Sequence, residues 1–101
     1  MRLEVSESHR SARLALHGEL DIGSAEPAVR ALRELLGRDL DAVVVDLDGL
    51  TFMDSTGVKF LVDGRDRARE AGIALSLAGG GEAVQRVLTV SGVAALFEAE
   101  E

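Results

Sequence analysis

The segment VVVDLDGLTFMDSTG, residues 43–57, decides how the chain is read. Its first half is a run of valines closed by two carboxylates, Asp46 and Asp48, and its second half sets Asp54 beside two hydroxyls, Ser55 and Thr56, ahead of Gly57. An apolar, Val-rich run is the pattern of a strand covered on both sides or central in a sheet. Residues 42–47 are therefore expected to form such a strand, with Asp46 at its end and Asp48-Gly49 making a turn. The two halves also pose a chemical alternative. Asp46 as a nucleophile would make the protein a phosphohydrolase, whereas Ser55 as an acceptor would make it the substrate of a kinase.

Outward from this segment, the apolar spacing switches between strand and helix periods. Downstream, Val58, Leu61, Val62 and Ala68 mark a helix ending near Gly72, residues 73–77 a further strand, and Ala78 to Gly81 a flexible connector. Val84, Val87 and Leu88 mark a third helix ending before Gly92. Upstream, Leu3 and Val5, then Leu14 and Leu16 after the polar SESHRSA, alternate with polar neighbours and predict two short strands in a hairpin. Between them and the central run, Ala25, Ala28, Val29, Leu32, Leu35 and Leu36 share a helical face. Ser24 is placed to cap that helix, Pro27 falls in its first turn and Gly37 stops it. The order predicts a small α/β domain: an N-terminal hairpin, then strand–helix units with right-handed crossovers, forming a mixed sheet with helices packed on it. A single domain over residues 1–101 is expected, since no repeat, linker or low-complexity tract divides it.

Composition narrows the function. With 47% apolar residues in 101, the chain can build a core without staples, and the absence of cysteine excludes a disulfide framework and thiolate metal sites. No apolar run approaches the roughly 18 residues of a membrane span, and MRLEVSESHR lacks an apolar signal core, so a cytoplasmic protein with no membrane partner is expected. A net charge of −7, with Lys59 the only lysine, argues against nucleic acid as a partner and favours a basic protein face.

VVVDLDG resembles the opening motif of haloacid-dehalogenase phosphatases, in which the first Asp is the nucleophile and the second an acid and base. Those roles would fall on Asp46 and Asp48. The chain departs from that pattern: Lys59 follows too soon to be the family's lysine, no late acidic pair follows a strand to hold magnesium, and Leu50 stands where the family has Thr. The second half of the segment carries a broader resemblance. LTFMDSTG, preceded by GELD at residues 18–21 and followed by VQRVLTVSGVAALF at 84–97, resembles the STAS domain of bacterial anti-sigma factor antagonists over nearly the whole chain.

That resemblance implies a partner switch. Such antagonists bind an anti-sigma factor that is also a serine kinase, which frees the sigma factor for RNA polymerase in regulation such as a stress response. The kinase then phosphorylates the antagonist, which lets go, and a phosphatase resets it. Here the phosphoacceptor falls on Ser55, and Asp21, Asp54, Ser55, Thr56, Gly57 and Lys59 fall in the partner-binding region, with Asp21 near the acceptor. The residues read alone agree: Ser55 precedes a helix whose apolar face begins at Val58, and a phosphate is tolerated at a helix start. Two alternatives keep the fold: a non-enzymatic scaffold or signalling subunit of a larger assembly, and a ligand-sensing module.

Two departures stand out. Lys59 occupies the place of a glycine in the family's Gly-Leu-Gly and is spaced to pair with Asp63 at i+4. The chain ends at Glu101, soon after Leu96 and Phe97, where the family continues through a last strand into a C-terminal helix. Gly79-Gly80-Gly81 lacks the rest of a dinucleotide fingerprint, and His9 and His17 have no metal-ligand spacing, so no catalytic residue, metal or cofactor is expected.

Overall fold

The structure, a computed structural model, describes residues 1–98. Alternation and helical spacing produce β1 (Arg2–Ser8), β2 (Ser11–Leu20), α1 (Ala25–Leu36), β3 (Ala42–Met53), α2 (Ser55–Ala71), β4 (Ala74–Ala78), α3 (Glu82–Val90) and α4 (Val93–Glu98). The sheet order is β1-β2-β3-β4; β1 pairs antiparallel with β2, and β2–β3 and β3–β4 are parallel. The expected mixed α/β sheet is thus formed, and α4 adds a short helix after α3 that the apolar spacing does not mark.

The polar stretch SESHRSA is strand for most of its length. Only His9 and Arg10 turn the chain, with His9 at φ 56°. An edge strand has to bury little, so polar residues continue the pairing up to Ser8↔Ser11. Arg10 then ties this turn to the loop after α1 by hydrogen bonds to both Asp39 and Asp41.

The central strand departs most from expectation. β3 does not end at Asp46, and Asp48-Gly49 is not a turn; the strand continues to Met53, paired with β2. The register explains how. From Ala15↔Asp46 to His17↔Gly49, and again from Gly18↔Leu50 to Glu19↔Phe52, β3 holds one extra residue against β2. Each irregularity rephases the strand, so that Val43, Val45, Leu47, Leu50 and Met53 all face the core although the last two steps are three residues long. The strand is central but not covered on both faces: Val43, Val45 and Leu47 are fully buried, whereas Ala42, Val44 and Asp46 on the other face are half-buried.

The helices pack on the face built from Leu14, Leu16, Val43, Val45 and Leu75. α1 and α2 approach closely at Gly64, where an added Cβ would stand 2.6 Å from Leu32 Cδ2. Gly72 ends α2 in a left-handed conformation at φ 72°, with the Gly72 and Ile73 amides donating to Arg69 and Ala68 carbonyls. Ser24 starts α1 differently from a simple side-chain cap. Its hydroxyl accepts from the Asp21 amide at 3.0 Å and donates to the Glu19 carbonyl at 2.5 Å, so it braces the turn between β2 and α1.

Candidate functional site

The parallel pairing of β2 with β3 brings their ends together at Leu20↔Met53. The Asp54 amide still donates to the Leu20 carbonyl, at 3.4 Å, and the chain then enters α2. Asp54 is the cap of that helix: its backbone is extended, and its Oδ1 accepts from the Thr56 amide at 2.9 Å. Ser55 is therefore the first helical residue and not the cap. It is exposed, and among the described residues its hydroxyl has no hydrogen-bond partner; Thr56, beside it, is half-buried. Of the two residues, Ser55 is the more exposed.

Gly57 has a packing reason. A Cβ there would lie 2.2 Å from Met53 Cγ and 3.2 Å from Leu20 Cδ2, so only glycine lets the first turn of α2 press onto the ends of β3 and β2. Lys59, one turn after Ser55, donates to Asp63 Oδ2 at 2.7 Å, the i+4 pairing that its spacing predicts. Asp21 leaves the end of β2 but turns towards its own loop: its Oδ1 accepts from the Gly23 amide at 3.0 Å and lies 3.0 Å from the Ser24 hydroxyl, whose proton points to the closer Glu19 carbonyl. Asp21 thus shapes the loop next to the Ser55 end.

A groove between the start of α2 and α3 completes this end of the molecule. It is lined by Asp54, Ser55, Val58, Arg86, Val87 and Val90. Val90 is 82% exposed, and Ile22, following Asp21, is 89% exposed, so large aliphatic groups stand in water at the same end as Ser55. The contributions of Arg86 and Val90 were not read from the sequence. The signal lay in the spacing, since Val87 and Val90 sit three residues apart while Val84 and Leu88 take the core positions.

The other carboxylates of the opening segment are committed elsewhere. Asp46 Oδ2 accepts from Arg13 Nη2 at 3.0 Å, and its Oδ1 accepts from the Asp48 amide at 3.0 Å. The Asp48 amide is the largest influence holding the Asp46 carboxyl below its ordinary pKa, with Arg13 adding to it against the cost of burial. Asp48 Oδ1 accepts from the Gly80 amide at 2.8 Å, and Gln85 Nε2 donates to the Gly79 carbonyl at 2.6 Å. The glycine segment before α3 is therefore tied down at two points, where a flexible connector was expected. His17 Nε2 stands 2.6 Å from Glu4 Oε1 on the sheet face away from the helices. Among the described residues no group of His, Cys, Asp and Glu is arranged to hold a metal ion, and no helix is long and apolar enough to cross a membrane.

A family model of the STAS domain matches residues 2–101. No curated protein matches the chain by sequence. Among solved structures, the chain is similar to an anti-sigma factor antagonist from Mycobacterium paratuberculosis, with 23% identity and a TM-score of 0.82 over 95% of this chain and 81% of the other. It is also similar to the anti-sigma factor antagonist SpoIIAA in its unphosphorylated form, with 19% identity and a TM-score of 0.78 over 91% of this chain and 82% of the other. The phosphorylated form of Bacillus SpoIIAA matches with 18% identity and a TM-score of 0.71 over 92% and 86%. The STAS domain of a SulP transporter from Vibrio cholerae matches with 23% identity and a TM-score of 0.71 over 91% and 71%. At these identities the likeness is one of fold.

Proposed function

The chain belongs to the STAS domain family, and on that premise we propose that it is an anti-sigma factor antagonist, a binding module and not an enzyme, switched off by phosphorylation of Ser55. Its partners in this reading are an anti-sigma factor with serine kinase activity and a phosphatase that acts on phospho-Ser55, all in the cytoplasm. Residues 1–101 form the single domain that does this. The observation that carries the reading is the exposed, unengaged Ser55 hydroxyl at the rim of an apolar groove. Two of the similar structures are of SpoIIAA in unphosphorylated and phosphorylated forms, which supports a modification site on this fold.

The physical consequence of the modification follows from where Ser55 lies. A phosphate adds roughly −1.5 to −2 charges at a helix start, where the dipole and the unpaired amides favour an anion, so the domain stays folded. The same charge beside Asp54 enters a surface whose other members are Val58, Val87, Val90, Ser91 and Arg86, the last already paired with Glu82. A docked partner would have to desolvate it, and a loss of about 3 kcal/mol weakens a complex more than a hundredfold. Asp21, Thr56, Gly57 and Lys59 shape the contact around it.

The test is phosphorylation by the cognate anti-sigma kinase with ATP and magnesium. One phosphate is expected in the wild type and in Thr56→Val, and none in Ser55→Ala, read by intact-mass spectrometry. Labelling that persists in Ser55→Ala and disappears in Thr56→Val would move the acceptor to the neighbouring residue.

A further inference from the structure

The side of α2 that faces α1 carries a second feature, which the Ser55 switch does not use. Among the described residues, every other arginine, and Lys59, engages a partner, most often a carboxylate on the same helix or a neighbouring strand. Arg33 on α1 and Arg67 on α2 form no ion pair and no side-chain hydrogen bond, and both are exposed. Both line the same cleft between the two helices. In a chain of net charge −7, the two arginines left without a partner stand together.

The floor between them is apolar. Val29 is half-buried there, with Leu32 and Phe60 beneath it, and Gly64 leaves the helices close together. Asp63 at the edge of the cleft is occupied by Lys59, and Glu70 lies at the opposite end, towards Gly37. The cleft thus presents two free guanidinium groups over a shallow aliphatic and aromatic floor. Guanidinium forks suit carboxylates, which they bind through two parallel hydrogen bonds, and the floor suits an apolar side chain held between them.

We propose that this cleft is a docking surface for an acidic peptide segment of a partner protein, one that presents glutamate or aspartate on either side of an apolar residue. The surface is separate from the Ser55 end. Arg67 lies about 18 Å along α2 from Ser55 at the usual rise per residue, so one helix serves two partners on different faces. The proposal does not depend on Ser55 being a phosphoacceptor. Because both arginines are solvated, the attraction is largely electrostatic, and the affinity is modest and falls with added salt.

The probe is a fluorescein-labelled peptide of glutamates and leucines, with a glutamine-for-glutamate counterpart as control, titrated by fluorescence anisotropy. Saturable binding of the acidic peptide to the wild type is expected, weakening as salt rises, with no binding of the glutamine peptide. Arg33→Gln and Arg67→Gln should each weaken it several-fold, the double variant about tenfold or more, and the double Arg→Lys variant less than the double Gln variant. Circular dichroism melting checks the fold of all four. The proposal is overturned if the wild type does not bind, if the double Gln variant binds as tightly as wild type, or if the glutamine peptide binds equally. It is also overturned if sedimentation shows that the wild type dimerises through this cleft and the double Gln variant is monomeric, because the occupant is then a second copy of the chain.

Discussion

At the scale of single residues, three carboxylates close together in sequence have three different roles, set by what each can reach. Asp54 caps α2, Asp48 holds the Gly80 amide, and Asp46 binds Arg13 across the β2–β3 pair. Spacing alone offers Asp46 and Asp48 as a catalytic pair; the tertiary contacts use them to join strand to strand and strand to loop. Asp46 is mostly shielded, its side chain 17% exposed, so its interactions should register in stability. Its folded carboxyl titrates below the ordinary range, which means that its contribution is present above the unfolded-state pKa and is lost as pH falls through the folded one. Asp46→Asn is therefore expected to lower unfolding free energy by about 1 kcal/mol near neutral pH. The difference from wild type should shrink as acid is added, and urea unfolding at a series of pH values measures both effects. A difference that stays constant down to acid pH would mean that shape and not charge is what Asp46 supplies.

At the scale of elements, β3 is the member that places the site. It runs past the end of β4 at Asp46, its two extra residues against β2 keep it in phase with the core, and the length beyond Asp46 delivers Met53, Asp54 and the start of α2 to the end of β2. Gly49 sits at the first irregularity. A Cβ at that position would stand 2.1 Å from His17 Nδ1 and 2.7 Å from the Leu16 carbonyl oxygen, and the latter is backbone that cannot step aside. Gly49→Ala is expected to destabilise the protein by about 1–3 kcal/mol, as overpacking of a closed site does. Chemical unfolding gives the magnitude. Amide exchange should locate the loss in β2 and β3 beyond the irregularity, while the Arg2–Ser8 hairpin partner and β4 stay protected.

At the scale of the whole molecule, α2 is both a core element and the display element. Phe60, Leu61 and Ala68 bury one side of it, Ser55 and Val58 border α3, and Asp63 and Arg67 border α1. A charge at Ser55 meets the favourable end of the helix and no packed neighbour, so Ser55→Asp should leave the melting temperature near that of wild type. It should also leave the affinity of the acidic peptide for the α1–α2 cleft unchanged, because the two surfaces are further apart than the screening length of about 8 Å at physiological salt. The same substitution should weaken the complex proposed with an anti-sigma factor. A variant that unfolds at lower temperature would instead give Ser55 a structural task at the start of α2.

The order of the first seven elements, β1 to α3, is legible in the amino-acid sequence, because the apolar period changes from two to near four at each boundary and glycine marks the ends at Gly37 and Gly72, whereas α4 is not marked. The sequence also placed Ser55 between a loop and the start of a helix, since it lies just ahead of the helical face starting at Val58. The remaining features depend on contacts between residues far apart in the chain. The run at residues 42–47 could not reveal that its strand continues through Asp48-Gly49, because that continuation depends on pairing with β2. The polar SESHRSA could not reveal itself as strand, because an edge requires few apolar residues. Nor could the spacing show that Val90 and Arg86 border Ser55, or that Arg33 and Arg67 share a cleft. Periodicity tells which side of a helix is apolar, whereas the neighbour that each remaining side meets is chosen by the packing of the whole sheet and its helices.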